Sequence, residues 1–157
     1  MRNKKNQKIL CVCSPGGHLT EMVNLVGALD LKQNFVYVTH KGITEKIFKS
    51  SYLVKNSGFL RNIPALSYKI ARIIIKEKPN FIISTGAEIG MLAIFLGKIL
   101  TRTKTIYIEC SAQVKKPSLS GRIAYHFSDI FFVQWKSLLR SYGKNAKYKG
   151  NLIFGNL

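Results

Sequence analysis

Acidic residues are scarce: 7 Asp plus Glu stand against 25 Lys plus Arg in 157 residues, a formal charge of +18. With so few carboxylates there is no Asp-x-Asp pair and no cluster at metal-ligand spacing, so neither a metal nor another cofactor is expected. Cysteine is scarce as well. Cys11, Cys13 and Cys110 are odd in number and form no C-x-x-C, which excludes a disulfide framework and a zinc module. Alternation puts Cys11 and Cys13 on one face of a strand, and all three read as structural thiols in a reducing compartment. No apolar run approaches the roughly 20 residues that span a bilayer. The longest, Ile89–Leu100 and Ile130–Trp135, fall well short. The basic start, Met1–Lys8, runs straight into Ile9-Leu10-Cys11-Val12-Cys13. That run is too short for the apolar core of a secretion signal, so secretion is not expected.

What is present is positive charge, and such a field favours polyanions. The cations are spread from Lys4 to Lys149, with no RNP-type aromatic motif and no recognition-helix signature, so nucleic acid is not the expected partner. An anionic membrane surface is, because each Lys or Arg turned toward it contributes about 1 kcal/mol. With 46% hydrophobic and 20% charged residues the chain can cover a sheet on both faces, and its length suits a single domain over residues 1–157.

Strand-length apolar runs alternate with helix-length segments, the pattern of an α/β domain with a mostly parallel sheet and crossover helices. The expected strands are Lys8–Ser14, Asn34–Thr39, Asn80–Ser84, Lys104–Glu109, Ile130–Gln134 and a short Ala146–Lys149. The expected helices are Leu19–Leu29, Thr44–Ser50, Ala65–Lys76, Glu88–Leu100, Ser118–Phe127 and Lys136–Tyr142. Tyr52–Asn62 reads equally as a loop, a short strand or a membrane-contact segment. In Ala65–Lys76, Leu66, Ile70, Ile73 and Ile74 share a stripe opposite Lys69, Arg72 and Lys76. Core packing with a solvated cationic face and docking to an anionic surface both fit that pattern. Glu88–Leu100 is apolar nearly all round and is expected to be buried.

In a parallel sheet the loops leaving the strands' C-terminal ends gather on one edge, where open α/β folds bind ligands. Three such loops stand out. In Ser14-Pro15-Gly16-Gly17-His18 the paired glycines admit a ligand to the backbone and the following helix N-terminus favours an anion. Ser14, Gly16 and Gly17 are therefore candidate acceptor- or phosphate-binding residues, although the loop lacks G-x-G-x-x-G and G-x-x-x-x-G-K and also reads as a plain turn. His18 is the candidate general base, with a loop hydrogen bond or a phosphate contact as its other readings. His40 and His126 read as structural. The second loop, Ser84-Thr85-Gly86-Ala87-Glu88, offers Thr85 and Gly86 to polar ligand groups. The third, Glu109-Cys110-Ser111-Ala112-Gln113, offers Ser111 for binding. In it Glu109 is the second candidate catalytic residue, a carboxylate to hydrogen-bond a sugar hydroxyl or the His18 imidazole, with an ion pair to Lys or Arg as its other reading. Lys115 and Lys116 read as a solvated pair or as phosphate contacts.

Taken in order, Ser14-Pro15-Gly16-Gly17-His18-Leu19-Thr20-Glu21-Met22, Ser84-Thr85-Gly86, Ile108-Glu109-Cys110-Ser111-Ala112-Gln113-Val114 and Asp129-Ile130-Phe131-Phe132-Val133-Gln134-Trp135 resemble one family over nearly the whole chain. It is the acceptor-side, membrane-recruiting subunit of the eukaryotic UDP-N-acetylglucosamine transferase of dolichol-linked oligosaccharide assembly. Bacterial capsule and exopolysaccharide counterparts of the PssD and CpsF type belong to it, and that branch looks closer.

The resemblance implies a split GT-B glycosyltransferase in which this chain is the single Rossmann-like, N-terminal-type domain. It implies a separate donor-binding subunit that holds most of the UDP-sugar, and a polyprenyl-diphosphate-linked acceptor. By the same resemblance the Gly16-Gly17-His18 loop falls on the glycine-rich acceptor loop, and Glu109 on an acidic strand-end position. Two departures matter. The eukaryotic members carry an N-terminal membrane anchor, whereas Met1–Lys8 is a short basic tail, so a peripheral, salt-sensitive association with the cytoplasmic face of the membrane is expected. Ser14-Pro15 replaces the usual serine-glycine, fixing the turn and removing a backbone donor. The expected function is transfer of a sugar in capsule or exopolysaccharide biosynthesis, by a subunit inactive alone. A non-catalytic activator or membrane tether is the alternative, and a basic nucleic-acid-binding module the remote one.

Overall fold

A computed structural model describes residues 7–29, 34–41, 51–54 and 63–153. In chain order these form β1 (Lys8–Val12), α1 (Gly17–Leu29), β2 (Asn34–His40), β3 (Ser51–Val54), α2 (Ile63–Glu77), β4 (Phe81–Ser84) and α3 (Ala87–Leu100). Then follow β5 (Lys104–Ile108), α4 (Leu119–Phe127), β6 (Ile130–Val133), α5 (Ser137–Tyr142) and β7 (Ala146–Tyr148). The strands form one 7-stranded sheet in the order β3-β2-β1-β4-β5-β6-β7, with every pairing parallel. The expected α/β domain is thus observed, and most strands end a residue or two earlier than their apolar runs suggested. β3 occupies the start of the segment left open between loop and strand. The expected helix Thr44–Ser50 lies outside the described residues.

Because a central parallel strand is buried on both faces, its residues need not alternate in polarity. In β1, Leu10 and Val12 join one core, and Ile9 and Cys11 join another. The first core is closed by residues of α2, α3, α4 and α5. On the second, α1 is the only helix among the described residues to contribute, through Leu19, Met22, Leu25 and Val26. Phe35, Phe81, Ile106 and Phe132 stay half-buried there. In α2, Ile70, Ile73 and Ile74 are buried while Lys69, Arg72 and Lys76 face solvent, as the helical stripe required. Ile74 has no exposed surface, and truncating such a side chain to Ala costs about 2–5 kcal/mol. α3 lies close on the sheet because it carries Gly90 and Gly97, where a Cβ would overlap Ser84 Oγ and Ile82 Cδ1.

At the strands' N-terminal edge, Asp129 ties β5 to α3. It accepts from Thr105 N at 2.9 Å and Thr105 Oγ1 at 3.0 Å, and pairs with Lys98 Nζ at 2.6 Å. Burial alone would raise this carboxyl, but the Lys98 and Thr105 hydrogen bonds outweigh it and bring the value down from 3.8 to about 2. The thiols of Cys11 and Cys13 are pushed up by burial, Cys13 to about 12, so neither is a nucleophile near neutral pH.

Candidate functional site

The chain runs outward from β1 to β2 and β3, then returns to lay β4 against the other side of β1. That reversal is a topological switch point at the C-terminal ends of β1 and β4, where open α/β sheets form the crevice that takes ligands. The Ser14–His18 loop forms one lip and Thr85-Gly86 the other. Gly16 adopts φ +91, which disfavours any side chain, and its carbonyl accepts from Leu19 N and Thr20 N to start α1. Gly17 is different: its φ is ordinary and a Cβ would meet nothing within 4 Å. No internal packing therefore requires glycine at that position, and the space over it is open. Ser14 is half-buried in the same loop.

His18 and Thr85 clasp each other across the crevice. Thr85 Oγ1 donates to the His18 carbonyl at 2.7 Å, and His18 Nδ1 meets the Thr85 carbonyl at 2.8 Å. A carbonyl oxygen only accepts, so Nδ1 carries a proton and Nε2 is the nitrogen turned to other partners. The ring lies on Gly86, where φ is +130 and a Cβ would overlap Cε1. Glycine at 86 is thus needed both for its backbone and for the imidazole above it. Ala87, which follows, holds φ +63, a strained value for a non-glycine residue at the start of α3.

Three candidates are positioned otherwise than the sequence suggested. Thr85 is fully buried with its hydroxyl given to His18, so it supports the imidazole and does not present a hydroxyl to a ligand. Ser111 is 9% exposed and donates its hydroxyl to Glu21 Oε1 at 2.6 Å, turning inward for the same reason. Glu109 has no exposed surface and meets neither His18 nor a cation among the described residues. Its oxygens accept from Cys110 N at 3.0 Å, Ser118 Oγ at 2.8 Å, Ser118 N at 3.2 Å and the Tyr142 hydroxyl. Glu109 therefore clamps the β5 loop to α4 and α5. Ser118 and Tyr142 satisfy its oxygens within the fold and leave it no exposed surface.

The residue that sequence reasoning passed over is Glu21. It stands one helical turn beyond His18, on the stripe shared with Met22 and Leu25, a carboxylate in an otherwise apolar row. It has no exposed surface. Oε1 accepts from Ser111 N at 2.8 Å, Ser111 Oγ, and Cys110 Sγ at 3.6 Å, while Oε2 has no hydrogen-bond partner. A ring nitrogen of His18, a Glu21 carboxylate oxygen and Cys110 Sγ all lie within 4.8 Å of one another. These are ligand types a transition metal accepts, in a chain whose sequence offered no metal spacing. Burial pushes the Cys110 thiol up to about 11, however, and its S–H is directed at Glu21, so the group is a hydrogen-bonded cluster as it stands.

The Val133-Gln134-Trp135 element holds this edge together. Trp135 Nε1 donates to the Ser111 carbonyl at 2.6 Å and Gln134 Nε2 to the Glu109 carbonyl at 3.0 Å. Gln134 Oε1 accepts from Leu152 N, whose own carbonyl accepts from Asn24 of α1. His40 is buried against the Val54 carbonyl and Glu88, whose carboxyl that hydrogen bond lowers, and His126 is exposed beside Tyr125. Lys115 and Lys116 are exposed.

The family described as "Oligosaccharide biosynthesis protein Alg14 like" matches residues 46–152. The UDP-N-acetylglucosamine transferase subunit ALG14 of Yarrowia lipolytica is 32% identical over 94% of this chain and 82% of its own. That of Schizosaccharomyces pombe is 33% identical over 95% and 85%, and that of Mus musculus 24% over 96% and 85%. Among solved structures, the UDP-GlcNAc 2-epimerase of Methanocaldococcus jannaschii superposes with a TM-score of 0.74 at 12% identity, covering 92% of this chain and 46% of that one. Acinetobacter baumannii MurG gives 0.73 at 9% identity, with 91% and 45% covered. The chain thus spans just under half of each solved structure, and at such identities the likeness is one of fold.

Proposed function

Since this chain belongs to the Alg14-like family of oligosaccharide biosynthesis proteins, we propose that it is the acceptor-side subunit of a two-component glycosyltransferase. With a separate donor-binding subunit it transfers a sugar from a UDP-sugar to a polyprenyl-diphosphate-linked acceptor at the cytoplasmic face of the membrane. The relatives carry the name of a UDP-N-acetylglucosamine transferase subunit, which supports that sugar as the donor group. They are fungal and mammalian, so the capsule and exopolysaccharide branch expected from sequence finds no support among them. The reading kept is the coarser one, assembly of a lipid-linked saccharide.

The observation that carries the proposal is the state of His18 in the crevice, with Nδ1 bound to the Thr85 carbonyl and Nε2 left as the basic atom. In the complex Nε2 takes the proton of the acceptor hydroxyl as its oxygen bonds to the sugar's anomeric carbon. The bond from that carbon to the UDP phosphate breaks and its electron pair leaves with UDP, stabilised by groups of the partner. Gly16 and Gly17 admit the acceptor's phosphates to the first turn of α1.

Membrane association rests on α2. Tyr68 and Ile75 are 64% and 56% exposed, beside a groove of about 670 Å³ lined by Tyr52, Tyr68, Lys69, Arg72, Ile75 and Lys76. Exposed apolar side chains ringed by cations suit an anionic lipid surface. No helix of the described residues is long and apolar enough to cross a membrane.

The test is transfer from radiolabelled UDP-sugars into lipid extract by this chain, by its partner, by both, and by the pair carrying His18→Ala. Activity from the pair alone is expected, with a loss of about 100-fold or more for His18→Ala in an intact complex. A partner fully active by itself sinks the proposal and favours the tether.

A further inference from the structure

We propose that Glu21 is a positioning residue for His18, a buried carboxylate that holds the imidazole's charge as the acceptor's proton arrives and locks α1 to the loop after β5. The inference rests on the reading of His18 as the base.

A chain with so few acids has placed one carboxylate wholly out of water, and among the described residues no Lys or Arg pairs with it. Burying a charge in that way is costly unless something nearby repays it. One oxygen is fully engaged, since Oε1 accepts from Ser111 N at 2.8 Å, Ser111 Oγ at 2.6 Å and the Cys110 thiol at 3.6 Å. Those bonds set the orientation of the carboxylate and join it to the loop that Trp135 anchors from the other side. The second oxygen, Oε2, is buried with no donor among the described residues.

Of the groups beside it, Cys110 has already directed its S–H at Oε1, and burial keeps it a thiol. Tyr107, also within electrostatic reach of Glu21, is kept a neutral phenol by burial, so the neighbour able to gain a positive charge is the His18 ring, which has a nitrogen within 4.8 Å of the carboxylate. Its Nδ1–H is committed to the Thr85 carbonyl. A proton taken at Nε2 puts a positive charge on a ring that has a nitrogen within 4.8 Å of a buried carboxylate, where solvent screens the attraction less than at the surface. The buried negative charge, which no Lys or Arg among the described residues offsets, is offset by the imidazolium as it forms. Spacing along α1 makes this geometry robust, because residues three apart lie on one face.

The experiment is a double-mutant cycle on the full chain with its partner subunit, a UDP-sugar and the lipid acceptor, comparing wild type, Glu21→Gln, Glu21→Asp, His18→Ala and His18→Ala with Glu21→Gln. Urea unfolding of each variant guards against loss of fold. Glu21→Gln is expected to lower kcat by on the order of 100-fold with KM little changed, and Glu21→Asp to restore part of it. In the His18→Ala background Glu21→Gln is expected to add less than about 2-fold, because its effect passes through the missing ring. If His18→Ala keeps its activity, the base reading itself fails. If His18→Ala is inactive but Glu21→Gln is not, or if the two losses multiply, the base stands and the inference about Glu21 is overturned. Stoichiometric zinc held by the wild-type chain and lost in Glu21→Gln also overturns it, by making Glu21 a ligand.

Discussion

Glu21 and Glu109 are both without exposed surface, both at the C-terminal edge of the sheet, and neither pairs with a cation among the described residues. Their oxygens differ. Both of Glu109's are occupied, by Ser118, Tyr142 and the backbone of Cys110. Glu21 has one crowded oxygen and one empty one, next to a histidine in a crevice. A saturated buried carboxylate acts as a clamp, because its bonds hold elements together and leave nothing for a ligand or a proton to change. An unsaturated one can still take a donor or answer a new charge, which is why the positioning role is proposed for Glu21 and not for Glu109. Thr85 and Ser111 follow the same division: their hydroxyls are spent on positioning the site.

The contrast breaks most readily at Glu109. Each of its oxygens takes at least two donors, so in Glu109→Gln an amide N–H₂ must face a donor whichever way it turns. Urea unfolding should show a loss of about 2–4 kcal/mol, against about 1 kcal/mol or less for Glu21→Gln, where the new amide occupies the empty side. Equal losses would erase the distinction. Gly121→Ala attacks the same clamp from α4, since a Cβ there would overlap Glu109 Oε2 and the Tyr142 hydroxyl. It should cost about 1–3 kcal/mol and add little to Glu109→Gln, because both break one cluster.

Gly17→Ala sharpens the other half of the comparison. A methyl there meets nothing within 4 Å and sits in an ordinary helical conformation. Stability should hold or rise by about 0.5 kcal/mol, while transfer by the complex should fall by about 10-fold if a phosphate closes on that backbone. Unchanged transfer would return the loop to a plain turn.

The smallest effect is expected at Asp129, a third kind of carboxylate, engaged by Lys98 and Thr105. Its folded value of about 2 lies below the ordinary 3.8. The stability it contributes is thus complete above about pH 4 and is lost as pH falls toward 2. Stability of Asp129→Asn, followed by urea unfolding across that window, should fall less steeply than wild type.

Much of the fold was legible because both faces of this sheet are covered, so strands read as unbroken apolar runs and helices as stripes. β3 escaped, since Ser51–Val54 is a 4-residue edge strand whose identity comes from pairing with β2 and not from any pattern of its own. At the site, His18 and the two glycines announced themselves by position after a strand. Glu21 carried one local signal, its spacing from His18. The inward turn of Thr85 and Ser111 had none, because their partners stand 67 and 90 residues away along the chain, and Glu109 is closed off by Tyr142, 33 residues away, together with Ser118.

Sequence alone determined the class of fold, the single domain, the basic surface and the loops that meet at the strands' C-terminal edge. These follow from periodicity, composition and the turn chemistry of glycine, which act over a few neighbouring residues. Only the tertiary structure decided which of two buried carboxylates is a clamp and which faces the imidazole. That choice depends on donors delivered from distant strands and helices, and a hydrogen bond is made or missed within a few tenths of an ångström.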